Sequence, residues 1–215
     1  MIAGTYSATA NFPGDSNYSA GNSTTLLVVV PKATPTLSVT GIQSTTANGQ
    51  ITTFTGTIVG STGSVAPTNA PTWTLTGASG CDSTTGPVTS GVSTIYTCTI
   101  ASNSSGSYSA AITYPGDSNY NGVGPSATYS INVVKATPTV FVTTSTATTQ
   151  LGNQITFSAT VTGPTGGQTP TGTPTWSITG VSGVSCASYT GPVGSSTSVV
   201  YTCTCLLYTS PSPRD

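Results

Sequence analysis

The sequence contains no histidine and no glutamate, and its charged side chains are only Lys32, Lys135, Arg214, Asp15, Asp82, Asp117 and Asp215. General acid–base catalysis, hydrolytic triads and metal-assisted hydrolysis draw on His, Glu or clustered carboxylates, so an active site in this chain would have almost no groups to work with. A net charge of −1 leaves no basic patch to neutralise phosphates, which argues against a nucleic-acid partner. Long apolar runs are missing as well. The longest, Leu26–Val30, falls far short of the ~20 residues that cross a bilayer as a helix. Enzymatic chemistry, a cofactor and membrane insertion are therefore not expected, and structural or binding roles remain.

Low charge with abundant Ser, Thr and Gly also describes disordered chains, but those lack an apolar pattern. Here apolar residues alternate with hydroxyls in Leu37-Ser38-Val39, Phe54–Ile58, Trp73-Thr74-Leu75, Tyr96–Ile100, Tyr108–Tyr114 and Tyr129–Val133, between clusters of Gly, Pro and Asn. Period-two alternation sends large side chains to one face and hydroxyls to the other, which predicts half-buried strands and an all-β fold.

The chain repeats itself about every hundred residues. Pro13-Gly14-Asp15-Ser16-Asn17-Tyr18 returns letter for letter at Pro115–Tyr120, Lys32-Ala33-Thr34-Pro35-Thr36 at Lys135–Thr139, Pro71-Thr72-Trp73 at Pro174-Thr175-Trp176, and Tyr96-Thr97-Cys98-Thr99 at Tyr201–Thr204. Repetition at domain length predicts a tandem array. About seven strands per repeat, with a Trp on the third, predicts immunoglobulin-like sandwiches whose core includes Trp73 and its counterpart Trp176. Tyr108 and its counterpart Tyr6 occupy the corner-tyrosine position and are expected in the core too. Two residues on stand Ala110 and Ala8, not Cys, so the usual inter-sheet disulfide is missing.

Cys81 and Cys98 are 17 apart, as are Cys186 and Cys203. One pair per repeat at equal spacing predicts a disulfide within each. Zinc would need four ligands, and each repeat offers two thiols. Asp15 and Asp117, in turns shared with Asn17 and Asn119, invite a calcium reading. Each turn has a single carboxylate, so a role in shaping the turn is favoured. Val30–Pro35 and Val134–Pro138 are short proline-containing joints, which restrict φ and predict stiff junctions.

The segment from Gly106-Ser107-Tyr108 through Tyr114–Tyr120 to Val133-Val134-Lys135-Ala136-Thr137-Pro138-Thr139 resembles the bacterial Ig-like domain repeats of the group 3 type, and the similarity spans nearly all of residues 1–204. Such repeats occur in large secreted or surface-attached proteins as stalks and adhesion modules. On that map residues 1–31 supply the last two strands of a truncated domain, 32–134 a complete domain, and 135–204 the first strands (A to E) of another truncated one. Residues 205–215 break the repeat and resemble a translated sequencing adapter, so they are expected to be a non-native tail, and Cys205 is not counted with the cysteine pairs. The expected function is a spacer or stalk module of a secreted or cell-surface protein, with neighbouring Ig-like domains of the same chain as its partners. The rivals are an adhesin module that binds a surface protein or glycan, and an accessory domain of a secreted enzyme.

Overall fold

The alternating segments are strands: the computed structural model describes residues 2–150, 152–180 and 185–206, and no helix occurs among them. The first thirty residues form β1 (Gly4–Ala8), β2 (Asn11–Phe12), β3 (Gly21–Asn22) and β4 (Leu26–Val30). β1 and β4 are antiparallel, with Tyr6 opposite Val28 and Ala8 opposite Leu26, so these four side chains share one face.

Next come β5 (Thr36–Gly41), β6 (Thr45–Ala47), β7 (Ile51–Val59), β8 (Thr72–Thr76), β9 (Ser83–Ser90), β10 (Ser93–Ala101), β11 (Gly106–Thr113) and β12 (Tyr129–Val134). They make two four-stranded sheets, β5-β7-β10-β9 and β6-β12-β11-β8. This is the strand order of an immunoglobulin-like β-sandwich with a short extra strand, β6, on the second sheet. Phe54, Ile58, Cys98 and Ile100 point inward from one sheet, Tyr108, Ala110, Ile112, Ile131 and Val133 from the other, and all are buried. The rings of Phe54 and Tyr129 meet edge to face at 6.4 Å between centroids. Each fully buried Phe, Ile or Val contributes about 1.5–3 kcal/mol over its exposed state, so this interior supplies most of the driving force for folding.

The last strands are β13 (Thr139–Thr144), β14 (Gln154–Thr162), β15 (Ser188–Ser195) and β16 (Ser198–Leu206), in one antiparallel sheet ordered β13-β14-β16-β15. This order repeats β5-β7-β10-β9. Among the described residues no second sheet faces it. Cys205 and Leu206, the first two residues of the expected tail, continue β16, opposite Ile155 and Gln154. The inward alternation of Tyr201 and Cys203 runs on through Cys205, which is buried, and β14 is long enough to pair with it. Residues 207–215 of the expected tail lie outside the described residues.

By contact density the chain divides into two compact units. The first takes in the chain up to Thr46, Ile51–Ile100 and Gly106–Asn132, and the second Ala47–Gln50, Ala101–Ser105 and the chain from Val133 onward.

Candidate functional site

Cys81, just ahead of β9, is bonded to Cys98 on β10 with Cα atoms 5.4 Å apart, and Cys186 is bonded to Cys203 on β16 at 5.3 Å. Each bridge ties the residues just ahead of an edge strand, β9 or β15, to the neighbouring strand of the same sheet, β10 or β16. They close the stretch that leads into β9 and β15, whose polar, exposed sequences bury little of their own surface. The Cys205 sulfur lies 3.5 Å from that of Cys203, and burial raises its thiol pKa. Three sulfurs, Cys186, Cys203 and Cys205, sit within 4.8 Å of one another, but two are consumed in the disulfide. That leaves one thiol where a metal centre needs several ligands.

The four aromatic residues expected in the core fare differently. Tyr108 is buried. Trp73 is half-buried and not enclosed, because β8 is the edge strand of its sheet. Its inner edge lies so close to Gly56 that a Cβ there would stand 3.0 Å from the ring. Trp176 is also half-buried and packs against Val161, Val199 and Tyr201. Tyr6 is exposed, a correction with a simple cause: among the described residues β1 pairs with β4 alone, and no opposing sheet covers its ring. Its hydroxyl still donates to the Ile2 carbonyl at 2.8 Å, the upstream bond that defines a tyrosine corner.

The densest polar cluster is built around Asp117. Its Oδ1 accepts the backbone N–H groups of Asn119 and Tyr120, both at 2.8 Å. Its Oδ2 accepts the Tyr114 hydroxyl at 2.6 Å, the Thr68 N–H at 2.9 Å and the Thr68 hydroxyl at 3.1 Å. Burial pushes the carboxyl pKa up, but the bonds from Tyr114, Thr68, Asn119 and Tyr120 outweigh it and hold the group at about 2. Tyr114 is raised by burial, then by its bond to Asp117 and that residue's charge. Tyr120, only 1 % exposed, donates to the Val65 carbonyl at 2.7 Å and accepts the Ser61 N–H at 3.1 Å. Gly116, at φ +86°, could not carry a side chain here, since a Cβ would lie 2.7 Å from the Gly122 nitrogen. Every lone-pair direction of this carboxylate is thus used by the protein, which favours the turn-shaping role over a cation site.

The sister turn is bare. Asp15 accepts from Asn17 N–H at 2.8 Å and Tyr18 N–H at 2.9 Å, both on Oδ1, and Tyr18 is 70 % exposed. Phe12 stands where Tyr114 does in the other copy and has no hydroxyl to offer.

The joint between β4 and β5 is tied to the Asp117 turn. Lys32 Nζ donates to the Asp117 carbonyl at 2.6 Å, Ala33 N–H to the Asn119 carbonyl at 3.0 Å, and Asn121 N–H to the Ala33 carbonyl at 2.8 Å. Ala3 N–H adds a bond to Asn119 Oδ1 at 3.0 Å. The partners that sequence reading missed, Thr68, Ser61 and Val65, sit in the loop before β8, with nothing local to link them to a turn some fifty residues away.

No family model and no curated protein matches the chain. Among solved structures, the Yersinia pseudotuberculosis adhesin InvE is similar over 58 % of this chain and 34 % of that one, at 20 % identity and a TM-score of 0.33. The chain thus spans about a third of the length of that adhesin.

Proposed function

We propose that this chain is a load-bearing spacer of a secreted or cell-surface protein, built from Ig-like sandwiches in series, with Lys32–Val134 as its complete repeat and no chemistry of its own. The observation that carries this reading is where the chain enters and leaves the sandwich. It enters at Thr36, opposite Val59, and leaves at Val134, whose carbonyl accepts from Asn48 N–H. Val59 is the last residue of β7 and Asn48 stands three residues before its first, Ile51, and the nine-residue strand between them spans about 30 Å at ~3.3 Å per residue. A unit entered at one end and left at the other transmits tension along its length. The bonds from Lys32 and Ala33 to the Asp117 turn stiffen the entry. The disulfides suit an oxidising, extracytoplasmic compartment, and the nearly uncharged surface carries no field to steer a ligand.

Pulling the oxidised full chain from its ends is the test. The spacer reading expects one cooperative rip from the sandwich, lengthened on reduction by about 55 Å as the 17-residue segment clamped by Cys81–Cys98 is released at ~3.6 Å per residue. Gradual extension without a rip contradicts it. Saturable binding of the monomeric chain to matrix proteins or a glycan array would move the assignment to an adhesin module.

A further inference from the structure

The sequence holds two Asn-Gly pairs, Asn48-Gly49 and Asn121-Gly122. An asparagine followed by glycine is the pair most open to loss of its own side-chain amide, because the glycine nitrogen can reach the Asn Cγ with no side chain in the way. The structure treats the two pairs oppositely. Asn48 and Gly49, between β6 and β7, are half-buried and firmly held. Asn48 N–H donates to the Val134 carbonyl at 2.9 Å, Asn48 Nδ2 to the Asn103 carbonyl at 3.1 Å, and Gly49 N–H to the Ser102 carbonyl at 2.8 Å.

Asn121 and Gly122, directly after the Asp117 turn, are both exposed. The Gly122 N–H has no hydrogen-bond partner among the described residues, and the Asn121 side chain makes one long bond, from Nδ2 to the Lys32 carbonyl at 3.4 Å. Glycine is required at 122 by space, since a Cβ there would stand 3.0 Å from the Pro115 carbonyl oxygen. The counterparts in the sister turn are Ser19 and Ala20, so the reactive pair belongs to this turn and not to the repeat as such.

We infer that Asn121-Gly122 is a self-modification site whose reaction loosens the entry joint with time. The Gly122 nitrogen gives its proton to hydroxide or water and bonds to Asn121 Cγ, the Cγ–Nδ2 bond breaks, and ammonia leaves, which closes a succinimide ring. Water then opens the ring. Opening at the side-chain carbonyl gives aspartate, and opening at the main-chain carbonyl gives isoaspartate, in which the backbone runs through Cβ and Cγ. Water is the only co-reactant, and no electrons are exchanged. The position gives the change its effect. Asn121 N–H donates to the Ala33 carbonyl at 2.8 Å, and two residues on Val123 exchanges bonds with Tyr114 at 2.9 and 2.8 Å. These anchors fit the ordinary spacing of residues 121 and 123, so the extra backbone carbon of isoaspartate breaks one of them. Both products also lose the amide that donates to the Lys32 carbonyl and gain a carboxylate, which only accepts. The site exists whether or not the chain bears load.

The test holds the full oxidised chain at mildly alkaline pH in heavy-oxygen water, then digests it for mass spectrometry with fragmentation that separates aspartate from isoaspartate. Asn121 should convert at least about tenfold faster than Asn48, the ratio set by the hydrogen bonds that Asn48-Gly49 must give up to react, and chiefly to isoaspartate. In denaturant, with the disulfides reduced, the two rates should draw level. Amide exchange at Ala33 and Asn121 should quicken in the converted chain. Asn121→Ser, which installs the residue of the sister turn, should neither convert nor quicken. The proposal is overturned if Asn48 keeps pace in the folded chain, or if Asn121 stays intact over a period in which the denatured chain converts. Exchange at Ala33 and Asn121 that conversion leaves unaltered overturns it too. None of these results bears on the rip of the unconverted chain under force, so failure here and failure of the spacer reading are distinguishable.

Discussion

Replacing Asp117 with Ala should cost far more than the same change at Asp15, although the two residues sit in identical hexapeptides. At Asp117 the carboxylate is removed from Thr68, Tyr114, Asn119 and Tyr120, and the hydroxyl of Tyr114, a buried residue, loses its acceptor. A hydrogen bond to a charged group is worth about 1.5–3 kcal/mol, and an orphaned buried donor costs about 1–3 kcal/mol. These losses share one group and do not add, and water reaches the turn backbone, so about 3 kcal/mol is the expected total. At Asp15 only two exposed N–H groups lose their acceptor, and water replaces it at below about 0.5 kcal/mol. The assay is urea unfolding of the oxidised chain in a Trp176→Phe background, so that Trp73 alone reports. At an m-value of about 1.5 kcal/mol per molar, Asp117→Ala should lower the midpoint by roughly 2 M and Asp15→Ala by less than about 0.3 M. Equal shifts for the two variants would refute the reasoning, as would an Asp117→Ala shift no larger than that expected for Asp15→Ala.

The same carboxylate sets an acid limit. Its folded pKa, about 2, lies below the ordinary 3.8, so the stability it gives is complete above about pH 4 and is lost as pH falls towards 2, about 2 kcal/mol in all. Asp117→Asn should start less stable and lose less over that window, as read from unfolding curves at successive pH values. Converting Cys81 and Cys98 to Ser should lower the stability of the sandwich by ~3 kcal/mol, the chain-entropy value for a 17-residue loop, measured by thermal melting against the oxidised parent. Gly116→Ala, which forces a Cβ against the Gly122 nitrogen at positive φ, should destabilise by more than about 1 kcal/mol in the same melts.

Strands were legible wherever one face is buried. Phe54–Ile58, Tyr96–Ile100 and Tyr108–Ile112 alternate because the core alternates with solvent along β7, β10 and β11. β9 was not legible: Ser83–Ser90 is exposed along its whole length at a sheet edge, so no apolar period marks it, and β6 is too short to carry one. Tyr6 shows the other limit. Alternation tells which side chains share a face, but whether that face is covered depends on a second sheet that local pattern does not report. The proline, glycine and aspartate of the Asp117 turn announced a turn, yet the weight of that turn comes from Thr68, a loop residue whose approach is fixed only by the closed sandwich. Cys205 and Leu206 extend β16 because Cys205 keeps the inward alternation of Tyr201 and Cys203 and β14 is long enough to pair with both.

Amide hydrogen exchange on the oxidised chain tests the central claim most directly: that two covered sheets and a carboxylate-tied turn make Lys32–Val134 the rigid element of the chain. The account predicts slow exchange through β7, β10, β11 and β12 and at the Asn119 and Tyr120 amides, with fast exchange at Asn17 and Tyr18 in the bare sister turn. Exchange that is fast throughout, or equally slow in both turns, would contradict it.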